Sequence, residues 1–412
     1  MLEARAHSEL KCFLKRVTCS WPHHLTLSRL IARSLRRKDH TLIQLETTSQ
    51  NFWWLGLLIP LCLQSSNAVI ILSERQRSRL LNYELPRLQA EGLSMGIWEG
   101  SEPSPNGQVW LLSPMGLIDA YQTGQLQSKQ LIIPEAEHLS KRLREAMTIS
   151  IESADWERLR LANPSKENLL LKLHERLGRR FFGQVARVDG QVRLHEAELL
   201  ALKNLFRDLP SSPSPWPSLL ALDSEFWAGW AQLNHKMLTW SLKMQLLEPF
   251  QYLPALFNDH PTLLLSGLGD QNLLRAELDA AAFPLKVAVT LTQSCPQEPI
   301  HLYAPHRQPL PNTPIYAQHL LVQSRRLVLG RSGLTIILLD DEQALLKLAA
   351  GLASEFGRRV VHETIAPEAN GVLCCSWDWW LEHHEQLPLP EQLIVALLPF
   401  PSLESPLTAT RV

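Results

Sequence analysis

"QLIIPEAEHLSKRL", residues 130–143, sets Ile132 and Ile133 directly before an acidic cluster that runs into a basic, helix-forming stretch. The short apolar run reads as a buried strand. Pro134 suits the first turn of a helix, where an N–H is unneeded, and Glu135 and Glu137 complement the helix dipole there. A carboxylate at 134 would make this a magnesium-holding strand end. The residue is proline, so the segment is either a plain strand and helix or an altered metal-holding one.

Working outward, strands alternate with helices on both sides. Residues 25–38, "LTLSRLIARSLRRK", put Leu27, Leu30, Ile31 and Leu35 on one stripe, predicting an amphipathic helix. Residues 40–45 read as a strand, 52–63 as a buried helix and 67–73 as a strand. Residues 74–88 then read as a helix and 108–113 as a strand. This alternation predicts a parallel sheet covered on both faces. From about 140 to 207 the pattern is helical, with one short hairpin over 184–194, and "PSSPSPWPS" (210–218) marks a loop boundary. A second helical stretch is expected over 219–247, leading to a strand at 262–267. A new αβ block is expected from 285, with strands at 334–340, 371–376 and 392–400. Asp340 would cap the helix after the first of these, with Gln343 in the capping box, and Gly357 would close it.

Composition narrows the class. The 412 residues hold 45% apolar and 20% charged side chains, ordinary for globular domains. The net charge of −1 gives no whole-molecule attraction to nucleic acid, so any such surface is local. Six cysteines lack CxxC spacing, which argues against zinc and for a reduced, cytoplasmic protein. No secretory leader pattern opens the chain, and "FWWLGLLIPLCL" (52–63) is too short to cross a bilayer, so no membrane partner is expected.

Taken in order, the segments resemble the XPD/DinG family of superfamily 2 DNA helicases. "NAVIILSERQRSRLLNYELPRL" is similar to the strand and Leu-Pro helix that follow that family's nucleotide loop. "WLLSPMGLIDA" resembles the strand bearing Asn-His-Ala, with Ser113-Pro114-Met115 in its place. "LIIPEAEHL" resembles the Ile-Ile-Asp-Glu-Ala-His-His-Leu motif. "LLEPFQYLPALFNDHPTLLLSG" is similar to the segment leading to Ser-Ala-Thr, and "PLPNTPIY" to the Pro-rich lead-in to the second lobe. "GLTIILLDDEQALLKLAAGLASEFG" looks like that lobe's first strand and helix. "LIVALLPFPSLESPL" is the sharpest match, and the collinear resemblance spans roughly 22–407. It implies an α/β fold of two RecA-like lobes with a helical insertion in the first. The segments would be an extension (1–20), first lobe (21–140), insertion (141–218), first lobe resumed (219–284) and second lobe (285–412).

The departures fall on the chemistry. Phosphate binding needs a Gly-rich loop and a lysine. The equivalent stretch, Thr47, Thr48, Ser49, Gln50, Asn51 and Trp53, has neither, and no lysine lies between Lys38 and Lys129. The family's metal-holding Asp is Pro134 here, its first motif His is Glu137, and His138 follows. Glu135, at the position that orients the attacking water, is the candidate catalytic residue. Ser-Ala-Thr is reduced to Ser266-Gly267-Leu268, and "SWDWWLEHHE" lacks the Glu-Gly of the family's aromatic motif. The Gln-x-x-Gly-Arg motif is not reached by Val412. No cysteine lies between Cys62 and Cys295, so no iron–sulfur cluster is expected.

The resemblance therefore implies a degenerate helicase that keeps the scaffold, with weak or no ATP hydrolysis. No cofactor or metal is expected on this reading. The alternatives are an active ATP- and magnesium-dependent helicase with divergent motifs, and a structural module for a protein partner. Single-stranded DNA is the implied nucleic-acid partner. Candidate contacts are Arg33, Arg36 and Arg37, and Trp377, Trp379 and Trp380, which could stack on bases. Core packing of the tryptophans and a solvated helix face for the arginines are the plainer readings. The pairs His23-His24 and His383-His384 lack a third ligand and read as ordinary polar residues.

Overall fold

The computed structural model describes residues 2–16, 21–45, 53–64, 67–103, 108–184, 190–220, 222, 226–235, 237–267, 271–291, 301–311, 313–399 and 406–411. The chain forms two compact units, one of residues 1–294 with 403–412 and one of residues 295–402.

The first unit is built on a parallel sheet. Its strands are β1 (Thr41–Leu45), β2 (Ala68–Ile71), β3 (Ile97–Trp98), β4 (Val109–Leu112) and β5 (Gln130–Ile133), with two more from farther along the chain. Between them in sequence come β6 (Ile149–Ile151), β7 (Gln191–Arg193), β8 (Trp227–Asn234) and β9 (Thr239–Leu246), then β10 (Thr262–Gly267) and β11 (Val287–Leu291). The parallel order is β11-β1-β10-β5-β2-β4-β3. Every residue of β1, β2, β4 and β5 is buried, as expected of strands covered on both faces.

One face packs on helices Leu2–Arg16, His24–Arg37 and Trp53–Leu63 through Leu10, Leu27, Ile31, Leu57 and Leu58. Gly56 lets that third helix close on its neighbour, because a Cβ there would lie 2.7 Å from Leu27 Cδ2. The other face packs on Leu117, Leu139, Leu143, Phe250, Phe257 and Leu274. The helix expected over 74–88 is interrupted by a π-helical turn at Leu80–Glu84. Glu84 is 1% exposed there and pairs with Arg79 at 3.1 Å.

The inserted part carries helices Ser153–Ala162, Glu167–Phe182 and Glu196–Arg207, as the helical pattern predicts. It also carries an antiparallel sheet, β6-β9-β8-β7. The helical stretch expected over 219–247 is mostly the β8–β9 hairpin, in register from Trp227↔Leu246 to Asn234↔Thr239. Trp227, Ala231, Leu233, Trp240, Leu242 and Met244 join one core with Trp156, Phe181 and Trp216. Of the hairpin expected within 184–194, Gln191–Arg193 forms β7 and pairs with β8, and residues 185–189 lie outside the described residues.

The second unit carries β12 (Thr335–Leu338), β13 (Val360–His362), β14 (Val372–Cys375) and β15 (Gln392–Val395), parallel in the order β13-β14-β12-β15. The αβ block expected from 285 starts later, because Val287–Leu291 pairs with β1. The helix cap also differs by one residue. Asp341, not Asp340, accepts from Ala344 N, and Asp340 Oδ1 instead accepts from Trp377 N at 3.0 Å. Gly357 ends that helix at φ 61°. The result is an α/β protein whose two parallel sheets are flanked by helices.

Candidate functional site

In an open parallel sheet, ligands bind beyond the carboxyl ends of the strands. In the first unit that edge is formed by Leu45 of β1, Gly267 of β10 and Ile133 of β5, on neighbouring strands. Just inside it lies a polar row. Gln44 of β1 sits opposite Ser266 of β10 and Thr290 of β11, and Thr290 Oγ1 donates to Gln44 Oε1 at 3.1 Å.

The acidic segment follows β5. Pro134 is buried and brings no side-chain oxygen. Glu135 stands in the left-handed region, φ 51° and ψ 52°, uncommon for a residue with a Cβ. Residues Ala136–His138 then make one 3-10 turn before the helix Leu139–Ala146. The helix thus starts later than a proline-first turn would place it. Arg142, on that helix, donates from Nη2 to Glu135 Oε2 at 2.6 Å. The two side chains are 20% and 31% exposed, so solvent screens the pair only partly.

Glu137 turns to the neighbouring strand. Its Oε1 accepts from Gly267 N at 3.0 Å, joining segments 130 residues apart. Its Oε2 is buried with no hydrogen-bond partner among the described residues. His138 is exposed. Glu135, Glu137 and Gly267 are thus brought to one edge; His138 faces solvent.

Magnesium takes hard oxygen ligands in a near-octahedral shell. Pro134 supplies none, the Glu135 carboxylate lies on a guanidinium and one oxygen of Glu137 lies on a backbone N–H. Among the described residues no group of three or more His, Cys, Asp or Glu could hold a metal ion. The residues present do not fit the ion. The loop positions Thr47, Thr48, Ser49, Gln50 and Asn51 lie outside the described residues. Trp53 opens the following helix and stacks on Trp54 at 4.2 Å, while Trp54 is 1% exposed. The indole pair is therefore anchored in the core.

The matching edge of the second unit follows β14. Ser376 caps the helix Trp377–His383, accepting from Trp379 N. Glu363, at φ 43°, accepts from Ser376 Oγ at 2.8 Å and from Ser376 N at 3.3 Å. Trp377 Nε1 donates to Leu397 O at 2.8 Å, and Trp379 stacks on His383 at 4.4 Å. Trp377, Trp379 and Trp380 pack against Leu334, Ile336, Leu338, Leu373 and Cys375. Burial pushes the Cys374 and Cys375 thiols up to about 12, so both stay protonated and unreactive at neutral pH.

The basic candidates sit elsewhere in the first unit. The helix His24–Arg37 runs through Lys38–His40 into the start of β1. Arg36 and Arg37 therefore lie toward the amino edge of the sheet, away from Glu135. Arg36 pairs with Glu3 at 2.6 Å, Arg33 is half-buried and Arg37 is exposed.

Sequence reasoning missed Arg142 and the Glu137–Gly267 bond. The first joins residues seven apart across a change of helix type. The second depends on the pairing of β1, β10 and β5, which spacing does not give.

No family model and no curated protein matches the sequence. Among solved structures the chain is similar to an apo XPD, with TM-score 0.53 and 15% identity over 85% of this chain and 77% of the other. It is also similar to an XPD helicase, with TM-score 0.54 and 12% identity over 87% and 81%. Xpd4 of S. tokodaii gives TM-score 0.51 and 12% identity over 95% and 86%. The chain shares its fold with these XPD structures. No helix among the described residues is long and apolar enough to cross a membrane.

Proposed function

We propose that this chain is a degenerate relative of the XPD/DinG helicases, keeping the scaffold and a nucleic-acid-binding role without turning over ATP. The observation that carries the reading is the carboxyl end of β5. Pro134 is buried where the family places its metal-holding Asp, and the neighbouring Glu135 carboxylate is held by Arg142 at 2.6 Å. Phosphoryl transfer relies on charges placed around the transferred group. A carboxylate oxygen engaged with a guanidinium is not free to coordinate a metal ion or to orient a water. The family's lysine position falls on Asn51 or Trp53, and the stacking of Trp53 on Trp54 supports the same reading.

The nucleic-acid part of the proposal rests on the fold. Arg33, Arg36, Arg37, Trp377, Trp379 and Trp380 remain its candidate contacts, the tryptophans weakened as stacking platforms by their packing. The test is binding of the purified chain to labelled single-stranded DNA across a salt series, beside nucleotide binding with and without magnesium. The proposal expects salt-sensitive DNA binding and no magnesium-dependent gain in ATP affinity. DNA binding absent even at low salt would leave a protein-interaction role. A magnesium-dependent gain in ATP affinity would overturn the loss of nucleotide chemistry.

A further inference from the structure

A missing carboxylate at 134 would by itself explain a lost metal site. The geometry beside it adds a second barrier. Glu135 is held in the left-handed region at the end of β5, and Arg142 reaches back over one 3-10 turn to its Oε2 at 2.6 Å. Both side chains are more than two-thirds buried. The guanidinium cannot lose its proton in a protein and donates in a fixed, planar fork. Glu137, the other acid of the segment, has one oxygen on Gly267 N and the other buried. The segment thus contains a fixed positive charge already seated on Glu135.

We infer that the Arg142 guanidinium stands in for the divalent cation at the end of β5, so that the chain's own side chain closes this edge to metal ions. The inference rests on the proposed loss of ATP hydrolysis and deepens it. A dication approaching Glu135 would meet a cation at hydrogen-bond distance from the same carboxylate and would have to displace it. Restoring the strand-end carboxylate alone would then leave the edge closed. Arg142 is a positioning residue here, acting through Glu135.

The test uses the full chain and manganese(II), read as loss of the free-ion signal in electron paramagnetic resonance. The proteins are the unaltered chain, Pro134→Asp, Arg142→Gln, Pro134→Asp with Arg142→Gln, and Pro134→Asp with Arg142→Lys. Thermal unfolding checks that each is folded. The double variant with Gln is expected to bind manganese at least about tenfold more tightly than Pro134→Asp alone. The Lys version keeps the charge and is expected to stay as weak as Pro134→Asp. The inference is overturned if Pro134→Asp alone binds as tightly as the Gln double variant, if that double variant fails to bind, or if Lys behaves as Gln. A second arm needs no change at buried Pro134: Arg142→Gln alone should take up terbium(III) more tightly than the unaltered chain, and equal uptake contradicts the inference. ATP turnover is read on the unaltered chain only, so failure here and failure of the proposed function are separable.

Discussion

The carboxyl edges of the two parallel sheets use acidic side chains in different ways. In the second unit Glu363, Asp340 and Asp341 all accept backbone N–H groups, at Ser376, Trp377 and Ala344. These are the free donors at helix starts, and satisfying them is structural work. In the first unit Glu135 holds a guanidinium instead, and Glu137 leaves one buried oxygen without a partner among the described residues. Both Glu135 and Glu363 stand in left-handed backbone, but folding alone gives little reason to bury a carboxylate oxygen that has no partner among the described residues. The contrast teaches that the second edge has become architecture, while the first still carries charge in excess of what its fold requires.

Acid separates the two units most strongly. Burial lowers the His24 pKa from 6.5 to about 4, with Arg87 adding to the shift. His40, His174 and His260 are lowered too, each chiefly by burial. All four lie in the first unit. A depressed histidine pKa means that the unfolded chain takes up protons first. The first unit should therefore keep its full stability above pH 6.5 and lose it as pH falls toward 4, by at most ~1.4 kcal/mol per pH unit for His24. Urea melts at stepped pH, followed by near-ultraviolet circular dichroism, check the slope, and His24→Leu should flatten it.

The edges themselves come next. Glu363→Ala removes the acceptor for both donors of Ser376 and should cost about 2 kcal/mol by chemical denaturation, since hydrogen bonds to a charged group are among the stronger ones. Ser376→Ala, which removes the cap and the Oγ donor but leaves the backbone N–H at 376 on Glu363, should cost about 1 kcal/mol. At the other edge, Glu135→Gln or Arg142→Gln should each shift stability by less than ~1 kcal/mol, because the pair is partly solvated. If the Glu135 changes proved as costly as Glu363→Ala, the distinction between the two edges would collapse.

Much of this was legible in the sequence. The strands at 40–45, 67–73, 108–113, 130–133 and 262–267 were, because short β-branched and leucine runs flanked by helical patterns leave few alternatives. The β8–β9 hairpin was not. Its residues are rich in Trp, Ala, Leu, Met and Gln, several of them good helix formers, and burial on both faces of β8 hides the alternation that marks a half-buried strand. No glycine lies between the two strands, at 235–238. Asp340 and Asp341 are adjacent and chemically alike, so only the backbone decides which one caps. At the candidate site the absence of a carboxylate at 134 was plain from Pro134. The partner of Glu135 was not, since no helix-spacing rule links residues seven apart across a 3-10 turn.

The acidic edge of the first unit is proposed not to support metal-assisted phosphoryl transfer. The most direct measurement is steady-state phosphate release from ATP by the purified chain, with magnesium and single-stranded DNA, beside Glu135→Gln. Both proteins should show the same background rate, unchanged by adding a chelator. Chelator-sensitive release that disappears in Glu135→Gln would contradict it.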